Sequence, residues 1–155
     1  MAENPTYLTP EGLQKLKEEL AHLTNVRRPE IALQIQQAKG EGDISDSSGY
    51  EEAKNMQGFI EGRIAALEQM LRDTVMIDTT EISEKVILGS LVKVQEDGEQ
   101  PEEYLLVGPA EADPVGGRIS NESPLGRALM GKRAGDRVTI DAPSGQIRFR
   151  ILEIN

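Results

Sequence analysis

Apolar residues in the first half of the chain recur at alternating spacings of three and four positions, in two stretches separated by a polar segment. The first stretch comprises Leu13, Leu16, Leu20 and Leu23, and resumes with Ile31, Ile35 and Ala38. The second comprises Ala53, Gln57, Ile60, Ile64, Leu67 and Leu71. This spacing gives each helix one narrow apolar seam, which is the pattern of a coiled coil. We therefore predict an antiparallel helical hairpin whose arms are joined through residues 40–49.

Prolines and glycines mark special positions in these arms. Thr9 and Pro10 are typical of a helix start, because Thr caps free N–H groups and Pro tolerates the first helical position. Pro29 lacks an N–H donor, so we expect a kink or a local gap in the helix hydrogen bonds there. Gly58 and Gly62 lie inside the second arm, where we expect close approach of the two helices to explain them.

The composition changes near residue 75, beyond which short apolar runs alternate with turn residues. The runs at 90–94 and 103–107 flank an acidic, Gly-containing turn and predict a β-hairpin. Two closing strands are predicted over 137–140 and 146–154, because a turn at 143–145 separates them and the second has alternating residues.

A short helix is predicted between these strands, with Ser123 as its cap, Pro124 at its first position and Gly131 at its stop. Strands packed around one short helix form a small α+β domain. The predicted fold class is therefore α+β, with a coiled-coil hairpin over residues 1–78 and a separate α+β domain over 79–155.

Composition excludes several kinds of active site. The chain has no Cys and one His, His22, so a thiol nucleophile, a Ser-His-Asp triad or a multi-His metal site would need residues of another protein. Asp and Glu number 27 against 17 Lys and Arg, and the net charge of −10 disfavours broad binding to nucleic acid. No apolar run approaches the ~18 residues of a membrane-spanning helix. We expect a cytoplasmic protein whose plentiful catalytic groups are carboxylates.

The predicted hairpin connection is acidic. Asp43 and Asp46 lie three positions apart in a glycine-flanked turn, where both carboxylates could reach one cation. Oxygen ligands suit Mg²⁺, but two carboxylates alone hold it poorly, so this pair indicates half of a metal site. The alternative is that the two acids only cap turns in a solvated loop.

Basic residues along the arms predict a second, weaker feature. Arg27, Arg28 and Arg63, with Arg72, could form a modest basic patch that contacts RNA. The alternative is that they are ordinary charged flanks of a coiled coil.

Residues 42–50, GDISDSSGY, resemble the tip signature G-D-[LI]-x-E-N-x-E-Y of the bacterial Gre family of transcript cleavage factors. Other segments that resemble the family, in family order and at family spacing, are 8–12, 26–31, 57–64 and 123–126. The resemblance covers nearly the whole chain and is closest to the GreA type.

This resemblance implies a C-terminal domain of FKBP-like fold that docks on the rim of the secondary channel of RNA polymerase, and a coiled coil that reaches down that channel. The tip acids would help to hold Mg²⁺ shared with the polymerase, which then cleaves the 3′ end of backtracked RNA. The chain would be no enzyme by itself, would bind no Mg²⁺ tightly alone and would be a monomer. The matching positions are Asp43 and Asp46 for the metal, Tyr50 for support of the tip, and Ser123, Pro124 and Leu125 for docking.

The tip departs from the family pattern at three positions. Asp46 stands where Glu is usual, which shortens its reach by one C–C bond, about 1.5 Å. Ser47 replaces the usual Asn, and Gly49 replaces an acid. These differences keep open the alternative of a channel-binding inhibitor that does not stimulate cleavage. A prolyl isomerase or chaperone is less favoured, because only Tyr104 and Phe149 could supply aromatic side chains to a pocket in the C-terminal domain.

Overall fold

A computed structural model describes residues 5–40 and 48–155, which form two compact units. The first unit comprises the described residues of Leu13–Asp73, and the second comprises Pro5–Gly12 together with Thr74–Asn155. The helices of the first unit are α1 (Pro10–His22, which begins in the second unit), a π-helical segment (Leu23–Arg27), α2 (Arg28–Gly40) and α3 (Ser48–Arg72). No helix among the described residues is long and apolar enough to cross a membrane.

The core of the first unit forms along the predicted seams. Its buried cluster consists of Ile31, Ile35, Ala53, Ile60 and Ile64, and the half-buried Leu20, Leu23 and Tyr50 pack against it. Every other predicted seam position is also buried or half-buried. Burial of these side chains requires two helices whose seams face each other, so the heptad pattern explains why the hairpin forms. The structure confirms the predicted hairpin.

The expected irregularity near Pro29 is present as the π-helical segment. Eight positions separate Leu23 from Ile31, one more than a heptad repeat needs. The segment takes up this extra residue with a wider turn, in which the N–H of Arg28 donates to the carbonyl oxygen of Leu23. Pro29 follows directly and has no N–H to give to an ordinary helical bond. The widened turn therefore returns Ile31 and Ile35 to the seam.

The explanation predicted for Gly58 and Gly62 is wrong. Both residues are exposed, and a Cβ added to either would meet no atom within 4 Å. Close approach of the helices therefore does not account for them, and nothing in the structure explains their presence on α3.

We expect the exchanges Gly58→Ala and Gly62→Ala each to stabilise the protein by about 0.5–1 kcal/mol, because Ala loses less conformational freedom in a helix and has open space here. Denaturant unfolding of each variant measures the change in the free energy of unfolding. A loss of stability would mean that these glycines do pack closely against part of the protein.

The second unit is built on a five-stranded mixed sheet with a separate two-stranded ladder. The strands are β1 (Thr6–Leu8), β2 (Thr74–Met76), β3 (Leu91–Glu96), β4 (Pro101–Val107), β5 (Arg118–Ser120), β6 (Arg137–Ala142) and β7 (Gly145–Ile154). The sheet has the order β5-β4-β3-β7-β6, in which only the β4–β5 pair is parallel. This arrangement confirms the α+β fold class, the predicted β-hairpin and the two predicted closing strands.

The short helix α4 (Pro124–Leu129) packs on the sheet. Its side chain Leu129 joins a buried cluster with alternate strand residues, which are Val92, Val94, Leu106, Ile119, Val138 and Ile151, together with Val86. Gly131 follows the helix with a φ of +78°, a conformation that favours glycine. The predicted start and stop of this helix are both confirmed.

The N-terminal strand β1 belongs to the second unit, although the sequence places residues 1–78 together in the hairpin. It pairs in parallel with β2, and the N–H of Ile77 donates to the carbonyl oxygen of Leu8 at 2.7 Å. Leu8 is fully buried and Ile77 is 4% exposed, so apolar burial draws both strands into this unit. The division differs from the predicted one in this respect.

Candidate functional site

The predicted metal-facing acids, Asp43 and Asp46, lie outside the described residues. The described chain reaches Gly40, the last residue of α2, and resumes at Ser48, the first residue of α3. Among residues 5–40 and 48–155, no group of three or more His, Asp or Glu side chains is placed to hold a metal ion. The two carboxylates therefore remain the candidate ligands on the strength of the sequence.

Tyr50, the predicted support of the tip, lies in the first turn of α3. Its ring is half-buried and packs against the apolar cluster of the hairpin, close in sequence to Ala53. A side chain held in this way anchors the start of α3 next to the acidic connection. This position suits the predicted supporting role, which stays a prediction.

Three of the four arginines of the predicted basic patch are paired with carboxylates, and Arg72 donates to the side-chain oxygen of Gln69 at 2.8 Å. Arg28 binds Glu61 through two hydrogen bonds of 2.9 Å each, and the bonds to Glu61 raise the pKa of Arg28 above its ordinary value. Arg27 pairs with Glu30 at 2.7 Å. These guanidiniums are therefore not unpaired cations, and RNA would have to compete with their carboxylate partners.

Arg63 is paired across the hairpin in the same manner. Its Nε and Nη2 donate to the carboxylate of Glu19 at 2.7 and 2.9 Å, a bidentate geometry. The hydrogen bond from Arg63 lowers the pKa of Glu19, while partial burial opposes this shift. Because Glu19 lies on α1 and Arg63 on α3, the pair links the two arms.

We expect Glu19→Gln to remove about 0.2–1 kcal/mol of stability at neutral pH, a discounted value because both side chains are more than a third exposed. The pKa of Glu19 is lowered in the folded state, so its contribution is present above the ordinary value of 4.5 and is lost as the pH falls through the folded-state pKa. Denaturant unfolding of the original protein and of Glu19→Gln, measured from pH 7 to pH 3, should show that the difference between their free energies of unfolding becomes smaller at low pH. A constant difference would contradict the assignment.

The predicted docking residues begin α4, and only one of the three side chains faces solvent. The hydroxyl of Ser123 donates to the carbonyl oxygen of Ser120 at 2.6 Å and accepts from the N–H of Gly126 at 3.0 Å. Leu125 is half-buried against the core, whereas Pro124 is exposed. Ser123 and Leu125 therefore hold the start of α4, and Pro124 is free to contact a partner.

Two residues at or next to α4 have structural features that the sequence does not indicate. A Cβ at Gly126 would lie 1.9 Å from the carbonyl oxygen of Ser120, so only glycine fits between α4 and the preceding turn. The side-chain oxygen of Asn121 is buried without a hydrogen-bond partner among the described residues. The sequence signal for the close fit at Gly126 is a glycine inside a short predicted helix. Nothing near Asn121 in the sequence signals its buried oxygen.

The cavity beside Phe149 does not have the lining of an isomerase pocket. It holds about 130 Å³ and is lined by Val94, Glu96, Glu99, Gln100, Glu102 and Phe149. Nearby, the hydroxyl of Tyr104 donates to Glu102, which raises the pKa of Tyr104 to about 12. Carboxylates dominate these surroundings, whereas an isomerase needs an apolar pocket with several aromatic side chains.

Two family models together match nearly the whole chain. The model described as "Transcription elongation factor, N-terminal" matches residues 6–75. The model described as "Transcription elongation factor, GreA/GreB, C-term" matches residues 81–155.

Similar proteins carry corresponding names. The transcription elongation factor GreA of Thermoanaerobacter pseudethanolicus is 51% identical over 97% of each chain, and that of Clostridium perfringens is 49% identical over 99% of each chain. Among solved structures, the GreA factor homolog 1 (Gfh1) of Thermus thermophilus is 32% identical over 98% of this chain and 99% of its own, with a TM-score of 0.46. The two family models, and the identity of about half to GreA relatives over nearly the full length, show that the chain belongs to the GreA/GreB family of transcription elongation factors.

Proposed function

We propose that this chain is a transcription elongation factor that binds RNA polymerase and stimulates hydrolytic cleavage of backtracked RNA by the polymerase active centre. The observation that carries the proposal is membership of the GreA/GreB family over both halves of the chain, residues 6–75 and 81–155. The relatives that are about half identical to this chain, over nearly the whole length of both chains, are named transcription elongation factor GreA.

The chemistry of the two tip acids fits this activity. Asp43 and Asp46 offer carboxylate oxygens, the ligands that Mg²⁺ prefers in proteins, and two of them leave most of its coordination to a partner. When bound, Mg²⁺ stabilises negative charge on a phosphodiester and lowers the pKa of coordinated water. The chain would therefore supply half of a metal site, and the polymerase would supply the other half and the RNA.

The two units divide the work in this proposal. The hairpin enters the secondary channel of the polymerase and delivers the connection between α2 and α3, which Tyr50 supports from the hairpin core. The second unit binds the rim of the channel through the exposed Pro124 and its neighbours. A net charge of −10 explains why the protein would act on the 3′ end of RNA without binding nucleic acid broadly. We therefore propose that the protein acts in the cytoplasm, with RNA polymerase and its RNA as partners.

The test uses backtracked elongation complexes assembled with the polymerase of the same organism, end-labelled RNA and Mg²⁺. We expect the full chain to accelerate release of a 3′ RNA fragment, and the chain without polymerase to leave the RNA intact. Complexes without the factor measure the intrinsic cleavage rate. Unchanged cleavage together with slower elongation would overturn the proposal in favour of an inhibitor.

A further inference from the structure

Glu111 is a buried carboxylate that the proposed mechanism does not use. Its side chain is 4% exposed and receives three hydrogen bonds. The N–H and the hydroxyl of Thr9 donate to it at 2.6 and 2.5 Å, and Nη1 of Arg118 donates at 2.9 Å. A buried carboxylate with charge-assisted bonds of this kind is a strong local constraint, because loss of a donor leaves a buried carboxylate oxygen with fewer hydrogen bonds than it needs.

The group that Glu111 holds is the start of α1. Thr9 is fully buried and caps the helix, since its hydroxyl oxygen also accepts from the N–H of Gly12 at 3.0 Å. A Cβ added to Gly12 would lie 2.0 Å from the Cδ atom of Glu111. The first turn of α1 and the carboxylate therefore fit together only because residue 12 has no side chain. We call Thr9, Gly12, Glu111 and Arg118 the clasp.

The clasp lies where the chain passes from the second unit into the hairpin. Residues 5–12 belong to the second unit, and α1 continues without a break to His22 in the first. Glu111 itself ends a 3₁₀ turn, Pro109–Glu111, which begins beside Tyr7, since a Cβ at Gly108 would lie 2.7 Å from the carbonyl oxygen of Tyr7. The carboxylate thus holds the residues of the second unit from which α1 continues along the chain.

We propose that Glu111 is a positioning residue for transcript cleavage, which holds the first turn of α1 and through it the arm that leads to Asp43 and Asp46. This inference rests on the proposed function. The tip acids act only if they are delivered at the correct place, and a misplacement of about 1 Å can lower a rate by up to about 100-fold. Loosening the clasp should therefore lower the rate of cleavage that the polymerase reaches with bound factor, while docking through Pro124 at the start of α4 persists.

Two variants loosen the clasp in chemically different ways. Glu111→Gln removes the charge and one acceptor oxygen at nearly constant size. Gly12→Ala keeps the charge but forces the carboxylate away from α1, and it also improves the helix propensity of the first turn. Glu99→Gln is the matched control, because it makes the same chemical change at an exposed site of the same unit.

For each protein we would measure the affinity for polymerase, the cleavage rate at saturating factor, and hydrogen exchange at the amides of Thr9 and Gly12. We expect both clasp variants to lower the saturated cleavage rate by about tenfold, to change affinity less than twofold and to exchange faster at these amides. The control should match the original protein in all three measurements.

The outcomes separate this inference from the function on which it rests. If the original protein does not stimulate cleavage, the proposed function fails and the inference fails with it. If the original protein is active and Glu111→Gln cleaves at the same saturated rate, only the positioning role is overturned, and the clasp then serves stability alone. A fall in affinity that fully explains lower cleavage would likewise overturn it.

Discussion

Cleavage of backtracked RNA should fall by about 100-fold when Asp43 is replaced by Asn, and by a similar factor for Asp46→Asn. Loss of an outer-shell partner of a metal already costs 10–100-fold in many sites, and removal of a direct ligand should lie at the upper end of that range. Affinity for polymerase should persist, because docking is assigned to the second unit. The measurement is the rate of release of the 3′ fragment from backtracked complexes at saturating factor.

The acidic tip provides its own controls. Glu52→Gln removes a charge at an exposed position near the start of α3, and we expect it to retain cleavage. Equal losses in this control and in Asp43→Asn would mean that general acidity matters, and not two particular ligands. Asp46→Glu restores the length usual in the family, and an increase in cleavage would show that the shorter side chain limits the rate.

Replacing Gly126 by Ala should destabilise the second unit by about 1–3 kcal/mol and weaken polymerase binding. The added Cβ would lie 1.9 Å from the backbone oxygen of Ser120, which cannot move aside as a flexible side chain could. α4 must therefore shift, and with it Pro124, the exposed one of the three predicted docking residues. Denaturant unfolding measures the first effect, and direct binding to polymerase measures the second.

The same exchange at Gly58 is the control for this prediction. It adds the same methyl group to a helix at a position with open space, where we expect a gain in stability. Opposite signs at the two glycines would separate packing from helix propensity. Unchanged stability in Gly126→Ala would contradict the tight fit beside Ser120. Unchanged binding to polymerase would leave the docking role of Pro124 without structural support.

Much of the fold could be predicted because its causes are local. The heptad seam is carried by residues such as Ile60 and Ile64, whose spacing alone requires a partner helix, and Ser123 with Pro124 signals the start of α4 within two residues. The tip acids can be identified for the same reason, because Asp43 and Asp46 lie in the short polar stretch between two helical arms with apolar seams.

The remaining features depend on residues distant in sequence. Glu111 contacts Thr9 across 102 positions, so no window of sequence shows that this glutamate receives the cap residue of α1. Arg63 looks like a free cation until the hairpin closes and brings it to Glu19, 44 positions away. A helical glycine such as Gly58 can mark either a close contact or an empty surface, and only three-dimensional packing separates these cases.

The π-helical turn and Pro29 form a pair of features whose mutations should show epistasis. Loss of one residue within Leu23–Arg27 alone would restore the heptad count but force the proline ring into an ordinary helix, at a cost of about 3 kcal/mol. Exchange of Pro29 alone would leave the surplus residue, so the wide turn would still be needed to keep Ile31 in the seam. Both changes together are compatible with one regular helix. We therefore expect deletion of one residue within Leu23–Arg27 to cost much less stability when Pro29 is replaced at the same time.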